Sequence, residues 1–149
     1  MSLKGQITED MKAALKAGDK DRLKAVRLML AAIKQIEIDN RIELDDAGVL
    51  AVLTKMVKQR RDSIEQFEKG GREDLVNIER DEISVLNDYL PEQLDANELA
   101  AMVDEVIQAT GAESIRDMGK VMGQIKAKAA GRADMGAVSA AVKERLNAL

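Results

Sequence analysis

The stretch Asn87-Asp88-Tyr89-Leu90-Pro91-Glu92-Gln93-Leu94-Asp95 decides how this chain folds, because it holds the only proline and the only tyrosine among 149 residues. Proline fixes its own φ, has no N–H to donate and pushes the residue before it out of the α region. A helix arriving at Leu90 therefore stops there, and the chain is expected to divide into an N-terminal domain, 1–90, and a C-terminal domain, 91–149. Asp95 with Glu98 three residues later resembles a capping box, which restarts a helix just beyond the break.

Upstream of this hinge every segment has a helical period. Leu3, Ile7, Met11 and Leu15 recur at steps of four on a first helix that Gly18 ends, and Asp19 is placed to cap the next. Leu23, Val26, Leu30, Ile33 and Ile36 carry a second helix to about Asn40. A third begins near Asp45 or Asp46 and ends at Gly70-Gly71, and a fourth runs from about Glu73 to Leu90. The glycine pair predicts an antiparallel hairpin in which residues whose numbers sum to about 140 lie side by side. Each of the last two apolar stripes has one charged interruption, Arg60 in the third helix and Glu79 in the fourth, and that register places them opposite each other. A hydrogen-bonded Arg–carboxylate pair is tolerated in such a position and fixes register. The functional alternative is that Arg60, Arg61 and Asp62 line a ligand site.

Downstream, Leu99, Met102, Val103, Val106 and Ile107 form the core face of a short helix closed by Gly111. Ser114 with Asp117 is a second, weaker cap signal, opening a helix to about Ala130 whose core face is Met118, Val121, Met122 and Ile125. A last helix from about Asp134 to Leu149 is expected to pack through Val138, Val142, Leu146 and, at its end, Leu149. The expected fold is all-α: an N-terminal helical domain containing the antiparallel hairpin, then a small three-helix tail domain.

Composition narrows the function by exclusion. Apolar residues at 46% and charged residues at 34% are the balance of a soluble globular chain. There is no cysteine and no histidine, hence no disulfide, no thiol nucleophile and none of the commonest metal ligands or general bases. The five serines and many carboxylates sit in no nucleophile elbow, P-loop or EF-hand loop, so no catalytic residue, metal site or cofactor is expected. Met1 to Gln6 carries no apolar leader core, and no run approaches the roughly 18 apolar residues of a membrane span. A cytoplasmic location without membrane association is the expectation.

Charge is distributed unevenly. From Asp81 to Ile115 there are nine acidic residues and no Lys or Arg, whereas Arg116, Lys120, Lys126, Lys128 and Arg132 follow against the single Asp117. Such a reversal marks either an electrostatic footprint for an anionic partner or an ordinary solvated face. Within the same helix Gly119, Gly123 and Ala127, followed by Gly131, recur at steps of four and leave one face almost bare. Arg116, Lys120 and Lys128 share that interval on the neighbouring ridge. Interior glycine costs a helix about 1 kcal/mol against alanine, so two of them need a reason. A bare groove beside a basic ridge suits close approach of a phosphate backbone, and it equally suits close helix packing. Phe67 and Tyr89 are too few for base-stacking platforms, which leaves a duplex or structured RNA as the nucleic-acid partner.

Several segments together resemble the GatB/YqeY family, specifically its stand-alone short members. They are Leu23 to Glu37 (LKAVRLMLAAIKQIE), Lys58 to Phe67 (KQRRDSIEQF), Tyr89-Leu90-Pro91-Glu92-Gln93-Leu94, and Asp117-Met118-Gly119-Lys120-Val121-Met122-Gly123 with Gly131-Arg132-Ala133-Asp134. The resemblance implies a helical domain and three-helix tail similar to the C-terminal extension of the B subunit of glutamine-dependent aminoacyl-tRNA amidotransferase, where the extension contacts tRNA. The catalytic parts of that enzyme have no counterpart here. The leading expectation is a non-catalytic module that binds tRNA or tRNA-like RNA through Arg116, Lys120, Lys126, Lys128, Arg132, Gly119 and Gly123, beside amidotransferase subunits. The alternatives are a carbon–nitrogen ligase activity with glutamine as amide donor that depends on a partner, and a protein–protein adaptor with an acidic face at 81–113.

Overall fold

Local capping chemistry sets nearly every helix boundary. A computed structural model describes residues 1–149 as seven α-helices and one 3₁₀ turn, with no strand. The chain clusters into two compact units, Met1–Leu90 and Pro91–Leu149.

The first unit contains α1 (Leu3–Ala17), α2 (Lys20–Asn40), α3 (Asp46–Lys69) and α4 (Glu73–Asn87). Helix α1 ends because Gly18 takes the left-handed conformation, φ 70°, and its N–H reaches the carbonyls of Ala14 and Leu15. The Asp19 carboxylate then accepts from the Arg22 N–H and starts α2. Helix α2 ends on Arg41 at φ 53°, a left-handed position without glycine, where the orphan carbonyls of Glu37 and Ile38 are recovered. Asp45 caps α3 through the Gly48 N–H, and Gly71 at φ 69° turns the chain into α4.

Helix α3 lies along α4 and α1 along α2, with α2 also touching α4. Their shared core is Ile7, Val26, Met29, Ile33, Val49, Leu53 and Leu86, each at most 2% exposed. Leu15, expected on the inner stripe of α1, is 58% exposed, and the neighbouring Ala14 takes the buried place at the end of that helix.

Helix α4 stops three residues earlier than expected, at Asn87, and Asp88 to Leu90 form a turn. The turn is tied down from both sides. Arg22 Nη1 lies 3.0 Å from Asp88 Oδ2, and the Tyr89 hydroxyl donates to Asp10 on α1. Burial, reinforced by that carboxylate acceptor, pushes the Tyr89 phenol up to about 12.

The second unit contains α5 (Ala96–Thr110), the 3₁₀ turn (Ile115–Asp117), α6 (Met118–Ala129) and α7 (Met135–Asn147). Asp95 and Glu98 form a reciprocal capping box at the start of α5, and Gly111 at φ 68° ends it. The segment leading into α5 is pinned to the loop after α6: the Leu94 N–H donates to the Arg132 carbonyl at 2.8 Å and Gln93 Nε2 to the Gly131 carbonyl at 2.7 Å. Val103, Val106, Val121, Ile125, Val138 and Val142 are fully buried where the three helices meet.

Candidate functional site

Helix α6 carries the residues singled out for RNA. Its inward stripe of Val121, Ile125 and Ala129 is fully buried, which fixes the opposite side toward solvent. Gly119, Gly123 and Ala127 are exposed there. Beyond its chain neighbours and the backbone of α6 itself, a Cβ built on Gly119 or Gly123 would meet no atom within 4 Å. The bare stripe is therefore open rather than filled by a neighbouring helix.

Of the five expected cations, three flank that stripe and two do not. At about 100° per residue, Lys120 lies on one side of Gly123 and Lys126 on the other, and Lys128 extends the Lys120 side by two turns. All three are exposed, and Lys128 Nζ lies 3.6 Å from Glu105 on α5. Arg116 is exposed but precedes α6 in the 3₁₀ turn, so the four-residue interval no longer places it on the Lys120 ridge. Arg132 belongs to the loop after α6, half-buried, and its Nε donates to the Glu92 carbonyl at 3.1 Å. Its guanidinium is thus engaged in holding the entry to α5.

The sequence predicts one continuous helix from Ser114, and the structure differs. The Asp117 carboxylate accepts from the N–H groups of Glu113 at 2.9 Å and Ser114 at 3.4 Å, bonds that hold its pKa below the ordinary range. That short side chain draws the chain into a 3₁₀ turn before α6 begins.

Arg60 turns inward between α3 and α4, while Arg61 and Asp62 are exposed, so these three consecutive residues do not converge on one site. Arg60 Nε lies 3.9 Å from Glu79 Oε2 and 2.7 Å from Glu82 Oε2. Glu82 is the nearer partner, a residue the apolar stripes did not single out although it lies three positions from Glu79 on the same helix face. Neither Arg60 Nε nor Glu79 Oε2 makes a hydrogen bond of good geometry, and both atoms are buried.

One guanidinium here serves two carboxylates. Burial first, then the Glu82 charge, push the Glu79 carboxyl above its ordinary value of 4.5, against the opposing pull of Arg60 and Lys24. The folded state thus holds the Glu79 proton more tightly than the unfolded chain, and stability falls as pH rises from the unfolded value through the folded one. Glu79→Gln should raise the melting temperature at pH 7, and the gain should shrink as pH is lowered toward 4.5. A lower melting temperature for the variant at pH 7 would contradict this direction of shift.

No group of three or more acidic residues is arranged to hold a metal ion, and no helix is long and apolar enough to cross a membrane. The acidic run is partly consumed internally: Asp104 accepts from Arg145 Nε at 2.7 Å, Asp88 pairs with Arg22, and Asp95 and Glu98 cap α5.

Comparison with known proteins gives relatives in yeasts. The chain is similar to proteins named "Altered inheritance of mitochondria protein 41, mitochondrial". It is 38% identical to that of Kluyveromyces lactis over 106 residues, covering 66% of this chain and 57% of the relative. It is 39% identical to that of Eremothecium gossypii over 101 residues, covering 66% and 55%. For Saccharomyces cerevisiae (strain YJM789) the identity is 29% over 122 residues, covering 78% and 66%. The chain thus spans little more than half the length of the first two. These names overturn the cytoplasmic expectation and point to a mitochondrial setting. The expectation rested on a missing apolar leader core, and mitochondrial targeting segments are amphipathic and do not need one. The family described as Yqey-like protein matches residues 4–146, nearly the whole of both helical units, and the chain therefore belongs to the YqeY-like family.

Proposed function

We propose that this protein is a non-catalytic helical module that binds tRNA or tRNA-like RNA through the exposed face of α6, acting beside a glutamine-dependent aminoacyl-tRNA amidotransferase. The observation that carries the reading is the open glycine stripe. Gly123, inside α6, weakens it by about 1 kcal/mol relative to alanine, Gly119 stands in its first turn, and at neither position does another element pack where a side chain would begin. That open space supports a surface that lets a phosphate backbone approach the helix axis between Lys120 and Lys126. The adaptor reading is weakened because the acidic residues of 81–113 are in large part engaged in caps and ion pairs within their own unit. The partner-dependent ligase reading has no nucleophile–base pair in this chain to support it.

The test uses two substitutions at one position. Gly123→Ala should raise stability by about 1 kcal/mol, because it adds helix propensity in open space. Gly123→Leu should fold equally well and weaken tRNA binding, since its larger side chain stands where the backbone would rest. Stable Gly123→Leu protein with unchanged affinity for unfractionated tRNA would remove the α6 reading.

A further inference from the structure

Helix α2 presents a line of positive charge that the reading of α6 does not use. With Ala25, Met29 and Ile33 buried, Lys20, Lys24, Arg27, Ala31 and Lys34 fall on its solvent side and all are exposed. The acidic residues of the helix, Asp21, Glu37 and Asp39, lie on its flanks and not on this ridge. At 1.5 Å per residue the cations extend over about 21 Å. The same side forms a shallow open groove lined by Lys20, Leu23, Lys24, Arg27, Leu28 and Ala31. On a chain of net charge −4, one helix face of a single sign is a feature to be explained and not the mixed pattern of an ordinary solvated helix.

We infer that this ridge is a second phosphate-binding surface, through which the first unit contacts the backbone of RNA. The choice of RNA as the polyanion rests on the reading of α6; the ridge itself does not. A membrane surface would require a contiguous apolar wedge, and the exposed apolar residues here, Leu28 and Ile38, are about 15 Å apart along the axis. An acidic protein draws most of its affinity from bulky anchors seated near the centre of a contact, and here the centre of the ridge is Ala31, with Leu28 at its edge and Leu23 half-buried. A phosphodiester chain needs cations at turn spacing and a small residue between them, and no anchor.

The experiment is a salt titration of unfractionated tRNA binding by the full chain, with two kinds of α2 variant. Lys20→Gln/Arg27→Gln/Lys34→Gln should weaken binding about tenfold or more near 0.1 M salt and reduce the log–log salt slope by about 2 to 3 units. Ala31→Glu, which puts a carboxylate in the middle of the ridge, should weaken binding several-fold. Melting temperatures should stay close to wild type, because all four positions are exposed. Unchanged slopes in both variants would overturn the inference. A Lys120→Ala/Lys126→Ala variant measured alongside separates the two surfaces. Loss only with the α6 change removes α2 and keeps α6, and loss only with the α2 changes does the reverse. Loss of binding to phosphatidylserine vesicles with tRNA binding intact would assign the ridge to membranes and also overturn it.

Discussion

Arg60→Ala should lower stability by about 3 kcal/mol near neutral pH, toward the lower end of the range for breaking a buried ion pair. The lower end applies because the Arg60 side chain keeps 17% exposure, enough for water to screen what remains. Removing the guanidinium leaves Glu79 and Glu82 facing each other across a half-buried surface with only Lys24 nearby as a compensating charge. The Glu79 carboxyl, already raised by burial, then loses the opposing pull of Arg60, so the loss should grow as pH rises above the ordinary carboxylate range and diminish as pH falls toward it. Replacing the cluster as a whole, with Arg60→Leu, Glu79→Leu and Glu82→Gln, should cost much less than Arg60→Ala alone, because the two stripes would then be continuous. Denaturant midpoints for the three proteins at pH 4.5 and 7 check this. An Arg60→Ala penalty that is small and independent of pH would show that water already solvates the cluster.

The architecture was legible because local chemistry and helical period agree along almost the whole chain. Gly18, Gly111 and Gly71 sit at left-handed positions, and Asp19, Asp45 and Asp95 accept the N–H bonds that open α2, α3 and α5. What was not legible has physical reasons. Arg41 ends α2 in the left-handed region with no glycine to announce it. Tyr89 reaches Asp10 across 79 positions, a contact that periodicity cannot carry. The 3₁₀ turn at 115–117 depends on which N–H groups the Asp117 carboxylate reaches, and a spacing pattern does not specify that.

The face proposed as the site was legible in its glycine spacing and only partly in the cations that flank it. The glycine spacing named the bare face of α6, and the sequence left open whether a neighbour fills it; no neighbouring element stands beside Gly119 or Gly123. Arg116 and Arg132 were grouped with the lysines by number alone. The 3₁₀ turn takes the first off the ridge, and the Glu92 carbonyl engages the second. Glu82 was overlooked because the apolar stripes pointed to Glu79, the position where the register expected an aliphatic side chain, and a second carboxylate on that face leaves no such gap.

Lys120→Ala/Lys126→Ala should weaken tRNA binding about tenfold near 0.1 M salt and flatten its salt slope by about 1.5 to 2 units. These two lysines are the informative pair, since they stand on either side of Gly123 and are exposed, whereas Lys128 already shares its charge with Glu105. Both side chains lie away from the core of the second unit, so stability should change by less than about 0.5 kcal/mol. The net charge of −4 repels a polyanion at long range, and wild-type binding should therefore be weak and steeply salt-dependent. The most direct measurement is the affinity of the wild-type chain and this double variant for unfractionated tRNA between about 0.05 and 0.3 M salt, a range over which phosphate contacts dominate the free energy. The RNA-binding account predicts measurable wild-type binding at low salt with a slope that the double variant reduces; no binding by wild type at low salt, or identical slopes for the two proteins, would contradict it.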